Sequence, residues 1–307
     1  MNQTIALIGV PSSAGAHWPG QEKTPQYLRS AGLVTCLESV GLNVMDYGDL
    51  PLLRFQPDRE HRRQQNLAAV IEVSRRVADQ VDLALQHNAV PLVIGGDCTI
   101  GLGVIAGFLR HEQDLGLLYF DGHVDLNTPA TSTSGILDSM GIAHIIAEPE
   151  TADELSHIGS RFPLMPVDQI VLFGYNPGEI NASERDVLAR RQWKRHYPLA
   201  EVQGKAGQVA TQAVKDLEGR AERFVLHFDV DVIDFTDMPI ADVPQFSQGL
   251  MFRDAMTCLA AFASSPKFAG LTVTEFNPDH ADQEGALAET FLRALAQALA
   301  GNEPVVT

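Results

Sequence analysis

Positive charge is scarce in this 307-residue sequence: 22 Lys and Arg stand against 39 Asp and Glu, for a formal net charge of −17. Such a chain is repelled by a phosphate backbone and by an anionic bilayer, which argues against nucleic-acid and membrane partners; the excess either draws small cations or only maintains solubility. Long apolar runs are missing as well, and none reaches the length of a membrane span. Met1-Asn2-Gln3-Thr4 carries no basic segment, and the apolar stretch 5–10 is too short for a secretory core. The three cysteines, Cys36, Cys98 and Cys258, are odd in number and widely spaced, which argues against a disulfide framework and for a reducing cytoplasm. With no Pro- or Gly-rich linker and no repeat, one domain over 1–307 is expected.

What is present is an alternation of short β-rich apolar runs with longer segments of helical period. This is the pattern of an α/β protein with a mostly parallel central sheet and covering helices, a three-layer α-β-α arrangement. Strands are expected near 4–10, 43–47, 91–94, 115–120, 169–173, 224–228 and 269–274, several apolar on both faces as buried parallel strands are. The longest helical stretches are 60–87 and 283–299. Residues 127–141, rich in Thr, Ser and Gly and without period, read as a long functional loop.

Four of the expected strands end in acids. Strand 115–120 runs into Asp121-Gly122-His123-Val124-Asp125, whose spacing of two turns all three polar side chains to one side if the backbone stays extended. Strand 224–228 runs into Asp229-Val230-Asp231, strand 91–94 into Gly95-Gly96-Asp97-Cys98, and strand 269–274 into Glu275. Carboxyl ends of strands are where open α/β sheets place ligands. A single Asp-x-Asp is ordinarily a capping or turn device, and Glu275 alone could start a turn before Asn277-Pro278. Six carboxylates and a histidine gathered in one place, however, would repel one another unless cations neutralised them. Oxygen ligands with imidazole suit manganese, and two ions sharing carboxylates activate water for hydrolysis.

These motifs resemble the ureohydrolase family, which includes arginase, agmatinase, formiminoglutamase and guanidino-acid hydrolases. The resemblance covers nearly the whole chain: 24–33, Asp46-Tyr47-Gly48-Asp49-Leu50, Gly95-Gly96-Asp97, Asp121 to Asp125, Asn127-Thr128-Pro129, Ser134-Gly135, Phe228-Asp229-Val230-Asp231 and Glu275-Phe276-Asn277-Pro278. It implies an arginase-like fold and two Mn2+ per chain, held by Cys98, Asp121, His123, Asp125, Asp229 and Asp231, with Asp121 and Asp229 touching both ions. It further implies attack by a shared hydroxide on a guanidinium carbon, proton transfer through Asp125 and docking of the guanidinium on Glu275. Asn127 and Ser134 would meet the substrate's carboxylate, and Asn176 and Glu179 its amino group. The implied reaction releases urea or an analogue from an arginine-like substrate such as arginine, hydroxyarginine or a guanidino acid, in a homotrimer or homohexamer.

The sequence also departs from the family pattern. Cys98 stands where a histidine ligand is usual, and three outcomes are open: a thiolate ligand that favours another divalent ion, a neutral cysteine beside a weakly held ion, or a vacated position. Asp138 stands where arginases carry a proton-shuttling histidine, so that role falls to Asp138 or to nearby His144. Asn176 replaces an aspartate, and Val243 replaces a hydroxyl-bearing residue. Alternatives to an arginine-type hydrolase are an agmatinase- or formiminoglutamase-type enzyme and a metal-poor, non-catalytic relative.

Overall fold

Apolar residues on both sides of each central strand require a layer of helix on either face. In the computed structural model, which describes residues 4–282 and 284–302, this requirement is met by one eight-stranded sheet. The strands are β1 (Thr4–Gly9), β2 (Asn43–Asp49), β3 (Val90–Ile94), β4 (Leu115–Phe120), β5 (Ile170–Phe173), β6 (His196–Tyr197), β7 (Arg223–Asp229) and β8 (Phe268–Thr274). They are ordered β2-β1-β3-β8-β7-β4-β5-β6, and every pairing is parallel.

Alternation along the strands sorts side chains into two cores, making the expected three-layer α-β-α arrangement. Leu118, Phe120, Leu226 and Phe228 face one core, with helices Ala206–Glu218, Phe252–Ala263 and Ala286–Leu299. Phe120, Phe173, Phe228 and Phe262 pack there at centroid separations of 5.1–5.6 Å, edge to face except for the stacked Phe120–Phe228 pair. Leu117, Tyr119 and Val225 face the other core, with helices Leu67–Gln86 and Ile100–Phe108. The latter helix is buried along its whole length. Gly103 lets it press against Leu67–Gln86, since a Cβ there would lie 2.4 Å from the Ser74 carbonyl oxygen. That contact anchors the turn holding Cys98.

Several boundaries differ from expectation. The helix expected from 60 begins at Leu67, because the Asp58 carboxylate accepts from the backbone N–H groups of Glu60, His61 and Asn66, and Asn66 takes φ 56°. The last helix starts at Ala286; Gln283 and Met1–Gln3 lie outside the described residues. The two-residue β6 was not anticipated, and the loop 127–141 closes with a 3-10 turn at Asp138–Met140. Among the described residues no helix is long and apolar enough to cross a membrane.

Candidate metal centre

The four acid-tipped strands are the four middle neighbours of the sheet, β3-β8-β7-β4. Their ends are held by unusual backbone. Gly95 and Gly96 take φ 92° and 89°, the Gly95 N–H donates to the Val273 carbonyl at 2.9 Å, and the Glu275 N–H donates to the Gly96 carbonyl at 3.1 Å. Asp125 and Glu275 themselves sit at φ 47° and 62°. A left-handed residue other than glycine costs ~1–2 kcal/mol, and here the turn swings each carboxylate off its strand axis into a common cleft.

The side chains converge closely. His123 Nδ1 lies 2.9 Å from Asp231 Oδ2 and 3.6 Å from Asp121 Oδ1. Backbone N–H groups fix the carboxylates: His123 donates to Asp121 at 2.6 Å, Asp231 to Asp229 at 2.7 Å, and Gly122 to Asp231 at 3.0 Å. The Cys98 thiol donates to Asp229 Oδ2 at 2.9 Å and lies 3.9 Å from Asp121 Oδ2. The Tyr119 hydroxyl donates to Asp125 Oδ2. Gln21 Nε2 donates to Glu275 Oε2 at 2.9 Å, whereas Glu275 Oε1 is buried with no partner among the described residues.

Burial, reinforced by neighbouring carboxylates, pushes Asp125, Asp229, Asp138 and Glu275 well above the ordinary acid range; for Asp229 the chief neighbours are Asp231 and Asp121. Burial and the Asp229 charge likewise raise the Cys98 thiol. Burial opposes protonation of His123, but the carboxylates of Asp231 and Asp121 hold its pKa well above normal. The cleft, with about 160 Å³ of free space, is lined by no lysine or arginine among the described residues. A buried concentration of acid with a single imidazolium to offset it, and an orphaned carboxylate oxygen, fits cations supplied from outside. The ligand atoms of Asp121, His123 and Asp231, and those of Cys98, Asp138 and Glu275, lie within 4.8 Å of one another in each group.

Of the residues singled out in the sequence, Cys98, His123, Asp125, Asn127, Asp138, Glu179, Asp229, Asp231, Val243 and Glu275 line this cleft, and Asp121 lies beside Cys98 and His123. Ser134 does not line it, and its Oγ pairs instead with the Ser132 hydroxyl and the Ile136 N–H. Asn176 is also elsewhere, bridging Gln248 and the Gly178 N–H. Residues that the sequence reading did not single out include His17, Ser139 and Glu184 on the cleft wall; Gln21; Asn181, which donates to Asn127 Oδ1 at 2.8 Å; Gln245, 3.2 Å from His123; and Tyr119 and His227, stacked at 4.4 Å. A usable signal existed for the last two: each precedes a strand-end aspartate by two residues, hence on the same face of the sheet.

His144 is corrected by the structure. Its Nδ1 donates to the Met140 carbonyl at 2.8 Å and its Nε2 accepts from the Ala152 N–H at 3.1 Å, so neither nitrogen is free for a proton relay, and the residue does not line the cleft. Burial lowers its pKa from 6.5 to about 4. A neutral buried histidine contributes stability that is present above the unfolded-state pKa and lost as pH falls through the folded-state value; at ~1.4 kcal/mol per pH unit this is about 3 kcal/mol. His144→Gln, whose amide can both donate to Met140 and accept from Ala152, is expected to lose about 3 kcal/mol less than the wild type between about pH 7 and about pH 4 in urea unfolding.

A parallel sheet that gathers buried aspartates and histidine at the carboxyl ends of its middle strands, open to a narrow cleft, defines an α/β protein of the ureohydrolase class. The family described as "Arginase family" matches residues 3–300, and the chain belongs to it. The arginase of Brevibacillus brevis is 30% identical over 280 residues, spanning 91% of this chain and 92% of that protein. Arginase-1 of Homo sapiens is 30% identical over 302 residues, spanning 97% and 92%. Among solved structures, the arginase of Bacillus caldovelox is similar with a TM-score of 0.88 at 26% identity, covering 99% of this chain and 100% of that one.

Proposed function

We propose that this arginase-family hydrolase cleaves the guanidino C–N bond of an arginine-like substrate at a two-ion centre, releasing urea or an analogue. The observation that carries the reading is the convergence of acids from four adjacent strand ends on a cleft that no lysine or arginine lines among the described residues. Cys98, Asp121, His123, Asp125, Asp229 and Asp231 would hold the ions, Mn2+ or another divalent cation, and the bound pair would supply water of lowered pKa as the nucleophile. Glu275 Oε1, held in place through the Gln21 bond to Oε2, accepts from the substrate guanidinium and keeps it flat. Asp125, steadied by Tyr119, takes the proton to the departing amine, and Asp138 at the cleft wall serves as a relay.

At the mouth, Asn127 and Asn181 offer amide donors for a substrate carboxylate, while Glu179 favours an amino group. Without a lysine or arginine on the wall, an agmatine-type substrate that lacks the carboxylate is the second reading. The same proposal takes 1–307 as one domain, working in the cytoplasm as a trimer or hexamer on a small cationic substrate. The test is urea or ammonia release from arginine, hydroxyarginine, guanidino acids, agmatine and formiminoglutamate with Mn2+ or Co2+. A chelator should abolish turnover and lower Tm, because ions bound only by the folded chain stabilise it. No release from any of these substrates with either ion would overturn the reading.

A further inference from the structure

His227 is a buried imidazole beside the cluster that the reading above leaves without a role. It lies on β7 two residues before Asp229 and on the same face, in register with Tyr119 of β4 and Thr272 of β8. Its side chain is buried at 3% exposure. Its Nε2 is 3.2 Å from Cys98 Sγ and 3.3 Å from Thr274 Oγ1, and a ligand atom of His227 lies within 4.8 Å of those of both Cys98 and Asp121. The Tyr119 ring, stacked at 4.4 Å and 10°, fixes the imidazole plane. We propose that His227 supplies, from β7, one strand beyond β8, the imidazole ligand that position 98 lacks, so that Cys98 and His227 together form a nitrogen–sulfur donor pair at the first ion position.

The spacing suits such a pair. A thiolate and an imidazole sharing one tetrahedral ion, with bonds of ~2.3 and ~2.0 Å, would stand roughly 3.5 Å apart, close to the 3.2 Å between Cys98 Sγ and His227 Nε2. The far nitrogen fits too. A ligating histidine donates through its other N–H, and His227 Nδ1 has no partner among the described residues, but His227 borders a cavity of about 10 Å³, the size of one water. Gly101 keeps that side open, since a Cβ there would come within 3.1 Å of Nδ1. A sulfur and nitrogen donor pair shifts preference toward Zn2+, Co2+ or Fe2+ at this position, while the oxygen-rich second position stays open to Mn2+.

This inference rests on the two-ion reading, and ion binding to the purified protein separates the two. Elemental analysis and Co2+ titration are carried out on wild type, Cys98→Ser and His227→Phe, the last retaining the stack on Tyr119. The wild type is expected to take up two Co2+ with a thiolate-to-cobalt absorption band. Cys98→Ser should lose the band, and His227→Phe should keep the second ion but bind the first at least ~100-fold more weakly, beyond the 10- to 100-fold typical of an outer-shell partner. Should the phenylalanine variant melt early when metal-free, His227→Gln serves in its place. Two ions bound as tightly in the His227 variant as in wild type would overturn the His227 assignment alone; a wild type that binds no ions would overturn the two-ion reading with it.

Discussion

Asp229→Ala is expected to leave the purified protein without either ion and to lower kcat/KM at least ~1,000-fold, about 4 kcal/mol of transition-state stabilisation. The Asp229 carboxylate lies between Asp231 and Cys98. Its Oδ1 is held by the Asp231 N–H at 2.7 Å, and its Oδ2 faces Cys98 at 2.9 Å. In the proposed two-ion centre a carboxylate in that place would be shared, and its loss would leave each ion a ligand short. The metal-free fold should respond in the opposite sense. Asp229 is buried, and its charge is disfavoured by burial and by Asp231 and Asp121, so the alanine variant should melt no earlier than the metal-free wild type. Elemental analysis and calorimetry check the two halves; retention of two ions by Asp229→Ala would refute its assignment as the shared ligand.

Glu275→Gln should be nearly as damaging to turnover while leaving both ions in place. Glu275 does not belong to the carboxylate set of β4 and β7, and one of its oxygens is already committed to Gln21. The other is buried and unpaired, an arrangement that costs stability unless a cationic ligand arrives. Replacing a carboxylate by an amide removes the charge that a guanidinium would meet. Because a broken buried ion pair costs about 3–5 kcal/mol, kcat/KM for a guanidino substrate should fall on the order of 100- to 5,000-fold. Ion content should stay at the wild-type value, and the metal-free Tm should hold or rise. Full activity in Glu275→Gln would remove the guanidinium dock from the proposed function.

Much of the site was readable residue by residue, because its chemistry is local. Asp121, His123 and Asp125 are separated by single residues after an apolar strand, and the structure brings them to one cleft with Asp229 and Asp231. Seven strands were expected close to their observed bounds, since buried parallel strands read as apolar runs. Two-residue β6 carries too little pattern to be seen, and the helix start at Leu67 was displaced by an Asp58 turn that periodicity alone does not reveal. His144 looked available beside a functional loop, but its nitrogens serve backbone that only the folded chain brings near. Tyr119 and His227 were overlooked because one polar residue inside an apolar strand resembles a satisfied core residue.

By itself the sequence determined which strands end in acids and that a cysteine stands where a histidine ligand is usual. The order of those strands in space was decided by tertiary structure. In the chain they come as β3, β4, β7 and β8, and only the crossovers of a sheet ordered β3-β8-β7-β4 set Cys98, Glu275, Asp229 and Asp121 side by side. The same crossovers put His227 against Cys98, 129 positions apart in sequence. Spacing along a strand fixes which face a side chain takes, whereas the neighbour across the sheet depends on how helices pack each strand into place.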